Sequence, residues 1–164
     1  MQLNYSYQTA KGVPGGLADI APYAIVSRVN GEETAGALKF GMGAVQGTNP
    51  GKDILLPDSE SAADKFEGVV MTSFTQQQEM YGGIKLQPKA AVGILRYGCA
   101  WVRVAPDIAI NYGDQLYLVI DGDNAGYFTN DADDGIAVNG RFVSETDNGA
   151  IAMVELFNAP AVTV

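Results

Sequence analysis

The chain has no histidine, one cysteine and one tryptophan among 164 residues. Without imidazole there is no Ser-His-Asp or Cys-His catalysis, no histidine metal site and no histidine pH switch. An enzyme built from this sequence would be left with carboxylate, lysine or tyrosine chemistry. Cys99 cannot form an intrachain disulfide and sits in an apolar run between Gly98 and Ala100, so folding in the cytosol is the simplest inference. No apolar run approaches the roughly 20 residues that cross a bilayer. The start, Met1-Gln2-Leu3-Asn4-Tyr5-Ser6, has neither the basic nor the apolar block of a signal peptide. The expectation is a soluble protein with no membrane partner.

Positive charge is the next thing in short supply. The net charge is −9, from ten basic and nineteen acidic side chains. Residues 1–105 carry nine of each sign, whereas residues 106–164 carry ten acids and only Arg141. A surface of this kind repels phosphate and lacks the basic patch that nucleic acid requires, so nucleic acid is excluded as a partner. The same acidic half would keep the exposed end of a crowded assembly soluble.

What the chain does have is glycine, twenty of them, and a 47% apolar content against 18% charged. Asn30-Gly31, Asn139-Gly140, Asn148-Gly149, Asp121-Gly122 and Asp134-Gly135 are dipeptides that favour tight hairpin turns. Between them lie short β-rich runs at 37–45, 68–74, 91–104, 115–121, 141–146 and 150–157. The clearest pairing is a hairpin of 141–145 with 151–157 around Asn148-Gly149. The run 91–104 is apolar on both faces. Leu95, Tyr97, Cys99 and Trp101 fall on one face, and Ile94, Gly98, Ala100, Val102 and Val104 on the other. Such a strand is sandwiched between layers or lies in a subunit interface, and Gly98 marks a bulge or a break into two strands. Helix is scarce: 59–66 is at most a short one, and 76–81 reads equally well as loop. The fold class is all-β, a barrel-like or sandwich-like antiparallel domain over residues 23–164 with at most one short helix. It is preceded by an extended N-terminal arm, residues 1–22, whose Lys11-Gly12-Val13-Pro14-Gly15-Gly16 stretch resists helix. An arm that cannot build its own core orders against its parent domain or a neighbour.

Candidate chemistry is thin. The acidic stretch from Asp121 to Gly135 resembles a calcium loop. Read from Asp121, however, the twelfth position is Ala132, and read from Asp131 it is Phe142. Neither supplies the closing glutamate of an EF-hand. Glu155, within Met153-Val154-Glu155-Leu156, is better explained by a solvent-facing sheet position than by catalysis. Gly12-Val13-Pro14-Gly15-Gly16-Leu17 lacks the lysine and hydroxyl ending of a phosphate loop. Trp101 could form a sugar platform but reads more readily as core. No catalytic residue, cofactor or metal site is expected.

The order of the pieces is nevertheless distinctive. Val13-Pro14-Gly15-Gly16-Leu17-Ala18-Asp19 leads into Ala24-Ile25-Val26-Ser27, then Leu38-Lys39-Phe40-Gly41-Met42-Gly43-Ala44-Val45 and Phe66-Glu67-Gly68-Val69-Val70. The long run from Val92 to Val104 follows, then Ile110-Asn111-Tyr112-Gly113-Asp114-Gln115-Leu116-Tyr117. Gly140-Arg141-Phe142-Val143-Ser144 and Ile151-Ala152-Met153-Val154-Glu155-Leu156 close the series. Over residues 10 to 158 this resembles the structural cement, or capsid decoration, proteins of tailed bacteriophages. The resemblance implies a small β-rich protein without enzymatic activity, made in the host bacterial cytoplasm. It would act as a homotrimer on the outer surface of the virion head, with the major capsid protein and itself as partners. Under that reading the arm residues Tyr5, Tyr7, Pro14, Leu17 and Ile20 would dock on the capsid. Leu95, Tyr97 and Trp101 would serve in a subunit interface or in the core. The alternative is a β-rich carbohydrate- or calcium-binding module; a small trimeric β enzyme of nucleotide metabolism is a more distant rival.

Overall fold

The structure is a computed structural model that describes residues 12–73, 84–146 and 150–158. Nine strands are present among these: β1 (Ala24–Asn30), β2 (Gly43–Gln46), β3 (Asp53–Leu55), β4 (Phe66–Val70), β5 (Ala91–Arg103), β6 (Gln115–Val119), β7 (Phe128–Thr129), β8 (Gly135–Phe142) and β9 (Ile151–Leu156). They follow the order β1-β3-β2-β4-β5-β9-β8-β6-β7, and β1 also pairs with β5. That extra pairing closes the first five strands into a barrel. The remaining four extend from β5 as an outer sheet. Every pairing is antiparallel except β1 with β3.

The alternation of side chains explains why short strands suffice. Ala44, Ile54, Val70, Val92 and Ile94 come from four barrel strands and, with Leu38 and Leu86, form one buried cluster; Val26 of β1 packs against it. This is the barrel interior. Their sequence neighbours Val45, Val69 and Leu95 face the other way. They join Ala100, Val102, Leu116, Leu118, Phe128, Phe142, Val154 and others in a second cluster. The outer sheet therefore packs on the outside of the barrel wall, and β2, β4 and β5 are apolar on both faces because each borders both cores. Phe66 meets Phe128 edge-to-face across this interface, with ring centroids 6.4 Å apart.

β5 is the element that both halves share. Its first half pairs with β1, from Val29 opposite Ala91 to Ala24 opposite Tyr97. Its second half pairs with β9, from Gly98 opposite Leu156 to Arg103 opposite Ile151. The strand does not break at Gly98 as one sequence reading allows. It changes partner there, next to a register shift between Ala24 and Ile25. Gly98 has φ +119°, and a Cβ on it would stand 2.7 Å from the Cβ of Tyr23, so only glycine fits the crossing.

Other expectations are corrected in detail. The strand expected at 37–45 is confined to β2, because Lys39 to Met42 form a tight turn closed by a Met42 N–H to Lys39 carbonyl bond of 3.3 Å. The helix expected at 59–66 is a single 3-10 turn, Ala63–Lys65; Phe66 already belongs to β4, where its ring is needed against Phe128. The hairpin of β8 and β9 is present with Arg141 opposite Glu155 and Phe142 opposite Val154, but its first strand runs from Gly135 to Phe142 and stops short of the expected residue 145. Its Asn148-Gly149 turn, like the segment 76–81, lies outside the described residues.

Candidate docking surface

The part of the N-terminal segment that the structure describes lies against β5. Gly15 N–H donates to the Trp101 carbonyl (2.8 Å), Trp101 N–H to the Gly16 carbonyl (2.9 Å) and Ala18 N–H to the Cys99 carbonyl (2.9 Å). Thr72 N–H donates to the Gly15 carbonyl (2.8 Å), which ties the same segment to the end of β4. Leu17 forms an antiparallel bridge with Ala100. Gly12 lies so close to the Trp101 indole that a Cβ there would overlap the ring. Trp101 is thus half-buried beneath the arm and does not form an open platform.

Beyond Ala18 the chain turns outward. Ile20 is 100% exposed, and Leu17, Tyr23, Ile25 and Val29 are each between 38% and 47% exposed. Tyr23, Ile25 and Val29 alternate along β1 with the more buried Ala24, Val26 and Arg28, so they occupy the barrel's outer face. Together with Leu17 and Ile20 they make an apolar surface that runs from the arm along one wall of the barrel. The alternation Tyr23-x-Ile25-x-x-x-Val29 is a sequence signal for this face, although residues 24–30 are not among the β-rich runs read from the sequence.

The predicted site residues are distributed as follows. Leu17 and Ile20 belong to the apolar face. Pro14 is half-buried against Gly41, and Tyr5 and Tyr7 lie outside the described residues. Leu95 is fully buried in the core between barrel and outer sheet, whereas Tyr97 is half-buried. Cys99 is half-buried under the arm, and its thiol is pushed up to about 11, first by burial and then by its hydrogen bond to Asp19. At neutral pH it is a thiol, not a nucleophile.

The acidic turns connect the last strands of the order, β6, β7 and β8. Asp121, Asp123, Asp131, Asp133 and Asp134 are exposed where β6, β7 and β8 connect. Asp121 accepts from Gly122 N–H (2.7 Å) and Asp131 from Asp133 N–H (2.9 Å), the ordinary geometry of turns. Among the described residues no group of three or more His, Cys, Asp or Glu is arranged to hold a metal ion. No helix among them is long and apolar enough to cross a membrane.

No curated protein matches the chain. Among solved structures, a chain from the capsid of Myoviridae phage XM1 is similar at a TM-score of 0.72 and 17% identity, covering 96% of this chain and 98% of that one. At that identity the likeness concerns the fold. The family model for structural cement protein (E217 gp24/Pam3 gp6) matches residues 1–157, nearly the whole sequence, and the chain belongs to this family of phage structural proteins.

Proposed function

We propose that the protein decorates the outer surface of a phage head, docking as a trimer that bridges neighbouring major capsid subunits and stabilises the lattice without any enzymatic activity. The observation that carries this reading is the exposed apolar side chains gathered on the arm and β1, apart in the strand order from the exposed acidic turns. An apolar face built from Leu17, Ile20, Tyr23, Ile25 and Val29 lies on the arm and barrel wall. The exposed acidic turns lie at the other end of the strand order, on β6 to β8. The first group suits burial against a shell and the second suits solvent. Residues 1–22 act as the docking arm in this reading, with Tyr5, Tyr7, Pro14, Leu17 and Ile20 as its contacts, and residues 23–164 as the body. Trp101 lies beneath the arm's path, where it supports its course. Three copies bound to adjoining capsid subunits gain affinity by multivalency. A protein that binds only the expanded lattice stabilises that lattice by mass action.

The test is co-sedimentation with expanded heads that lack the protein, beside unexpanded shells. Saturable binding to expanded heads at a fixed ratio to the capsid subunit is expected. A folded protein that binds neither shell, given the matching capsid, would refute the reading.

A further inference from the structure

A cavity of about 270 Å³ opens where the turn before β2, the segment leading into Leu86 and the end of β5 converge. Leu38, Phe40 and Ile84 give it an apolar lining, and Lys39, Lys85 and Arg103 are its cationic side chains; among the described residues no carboxylate lines it. Arg103 is held in place by its Nε, which donates to the Phe40 carbonyl at 2.8 Å. One of its five donors is thereby spent on orientation. Neither Lys39 nor the rest of the Arg103 guanidinium meets a carboxylate among the described residues. A fixed guanidinium with free donors, set over an apolar floor, suits a carboxylate carried on a small side chain or turn.

The chain itself carries the complement. Asn130-Asp131-Ala132-Asp133-Asp134-Gly135 is an exposed turn of three carboxylates around one methyl group, and none of the three meets a cation among the described residues. Cavity and turn belong to different parts of the molecule, the barrel and the edge of the outer sheet, and among the described residues neither Lys39 nor Arg103 is ion-paired to the turn within one copy. Two complementary surfaces at different places on one chain make a heterologous contact, which closes into a ring when the rotation allows, as a trimer requires.

We propose that the cavity between Lys39, Lys85 and Arg103 receives the 131–134 acidic turn of a second copy of this chain. The inference rests on the reading of the protein as self-associating and assigns the contact. Sedimentation velocity of the full chain, at low and at high salt, tests it. Lys39→Glu with Arg103→Gln, which keeps a donor for the Phe40 carbonyl, should weaken association at least about tenfold. Asp133→Lys with Asp134→Lys should do the same. All four changes in one chain should recover association, a result that misfolding of either pair could not produce. Wild-type association should also fall as salt rises.

A wild-type assembly that the cavity variant leaves unchanged would overturn the assignment while leaving self-association intact. A wild-type chain that is monomeric at every concentration would overturn both, and head co-sedimentation would then judge decoration separately. A cavity variant that still self-associates but no longer binds heads would give the cavity to an acidic segment of the shell, and the second-copy assignment would fall.

Discussion

Arg28 of β1 reaches the carboxylate of Glu67 of β4 at 3.3 Å, although these two strands are not neighbours in the barrel. Both side chains are nearly withdrawn from solvent, and the Arg28 Nε has no partner of its own. The pair links two strands whose only common neighbour is β5. Removing one partner leaves the other charge buried and uncompensated, which costs about 3–5 kcal/mol. Glu67→Ala should therefore lower stability by that amount in urea unfolding. Replacing both residues with apolar side chains of similar volume should recover most of the loss, because the pair itself contributes little beyond mutual compensation.

Gly98 tests the crossing point of β5. At φ +119°, with Tyr23 Cβ in the way, any side chain is strained. Gly98→Ala should cost about 1–3 kcal/mol. Because the strain falls where β5 leaves β1 for β9, hydrogen exchange should rise first at the β1 amides. An Ala variant as stable as the parent would show that the crossing does not depend on this conformation.

The apolar face makes its own prediction. Ile20→Asp combined with Ile25→Asp should leave the melting temperature near that of the parent, since both side chains already meet solvent. Binding to expanded heads should weaken at least about tenfold if the two residues are among the central contacts of the docked face. Truncation at residue 11 keeps the Gly15, Gly16 and Ala18 bonds to β5, so it separates the contribution of the first residues from that of the fold.

Acid should loosen two turns before it reaches the core. Hydrogen bonds from Asn49 hold Asp53 below the ordinary carboxylate range, and those from Asn111 and Asn130 do the same for Asp114. A carboxylate with a depressed folded pKa contributes stability that is fully present above its unfolded value of about 3.9 and is lost as pH falls through the folded value. Asp114→Asn should therefore be less stable than the parent at neutral pH, and the gap should narrow below about pH 4. A gap that stays constant down to the acid transition would rule out this coupling.

Cys99 should react slowly with iodoacetamide at neutral pH, and its rate in the folded protein should climb toward a midpoint near 11. Asp19→Asn removes the carboxylate that accepts from the thiol and should lower that midpoint. Denaturant should bring the rate to that of an ordinary free thiol.

Local patterns were legible in the sequence where one residue's neighbours decide its conformation. The alternation in 141–145 and 151–157 specified the β8–β9 pairing. The doubly apolar run around Leu95 and Ala100 announced a strand between two layers. Barrel closure was not legible, because it depends on pairing Val29 with Ala91 and with Asp53, contacts distant in sequence. β3 has three residues and β7 two, too few for any periodicity. The cationic cavity is illegible in the sequence for the same reason: Lys39, Lys85 and Arg103 look like scattered surface charges until Phe40 and Leu38 bring them to one opening.

β5 has a mechanical consequence. Thirteen residues of unbroken backbone run through both the barrel and the outer sheet. A tug on the barrel wall is carried along covalent bonds into the outer sheet, without crossing a hinge or a slip plane between separately folded units. The two halves should yield together under force, as one clamp rather than as two parts in series.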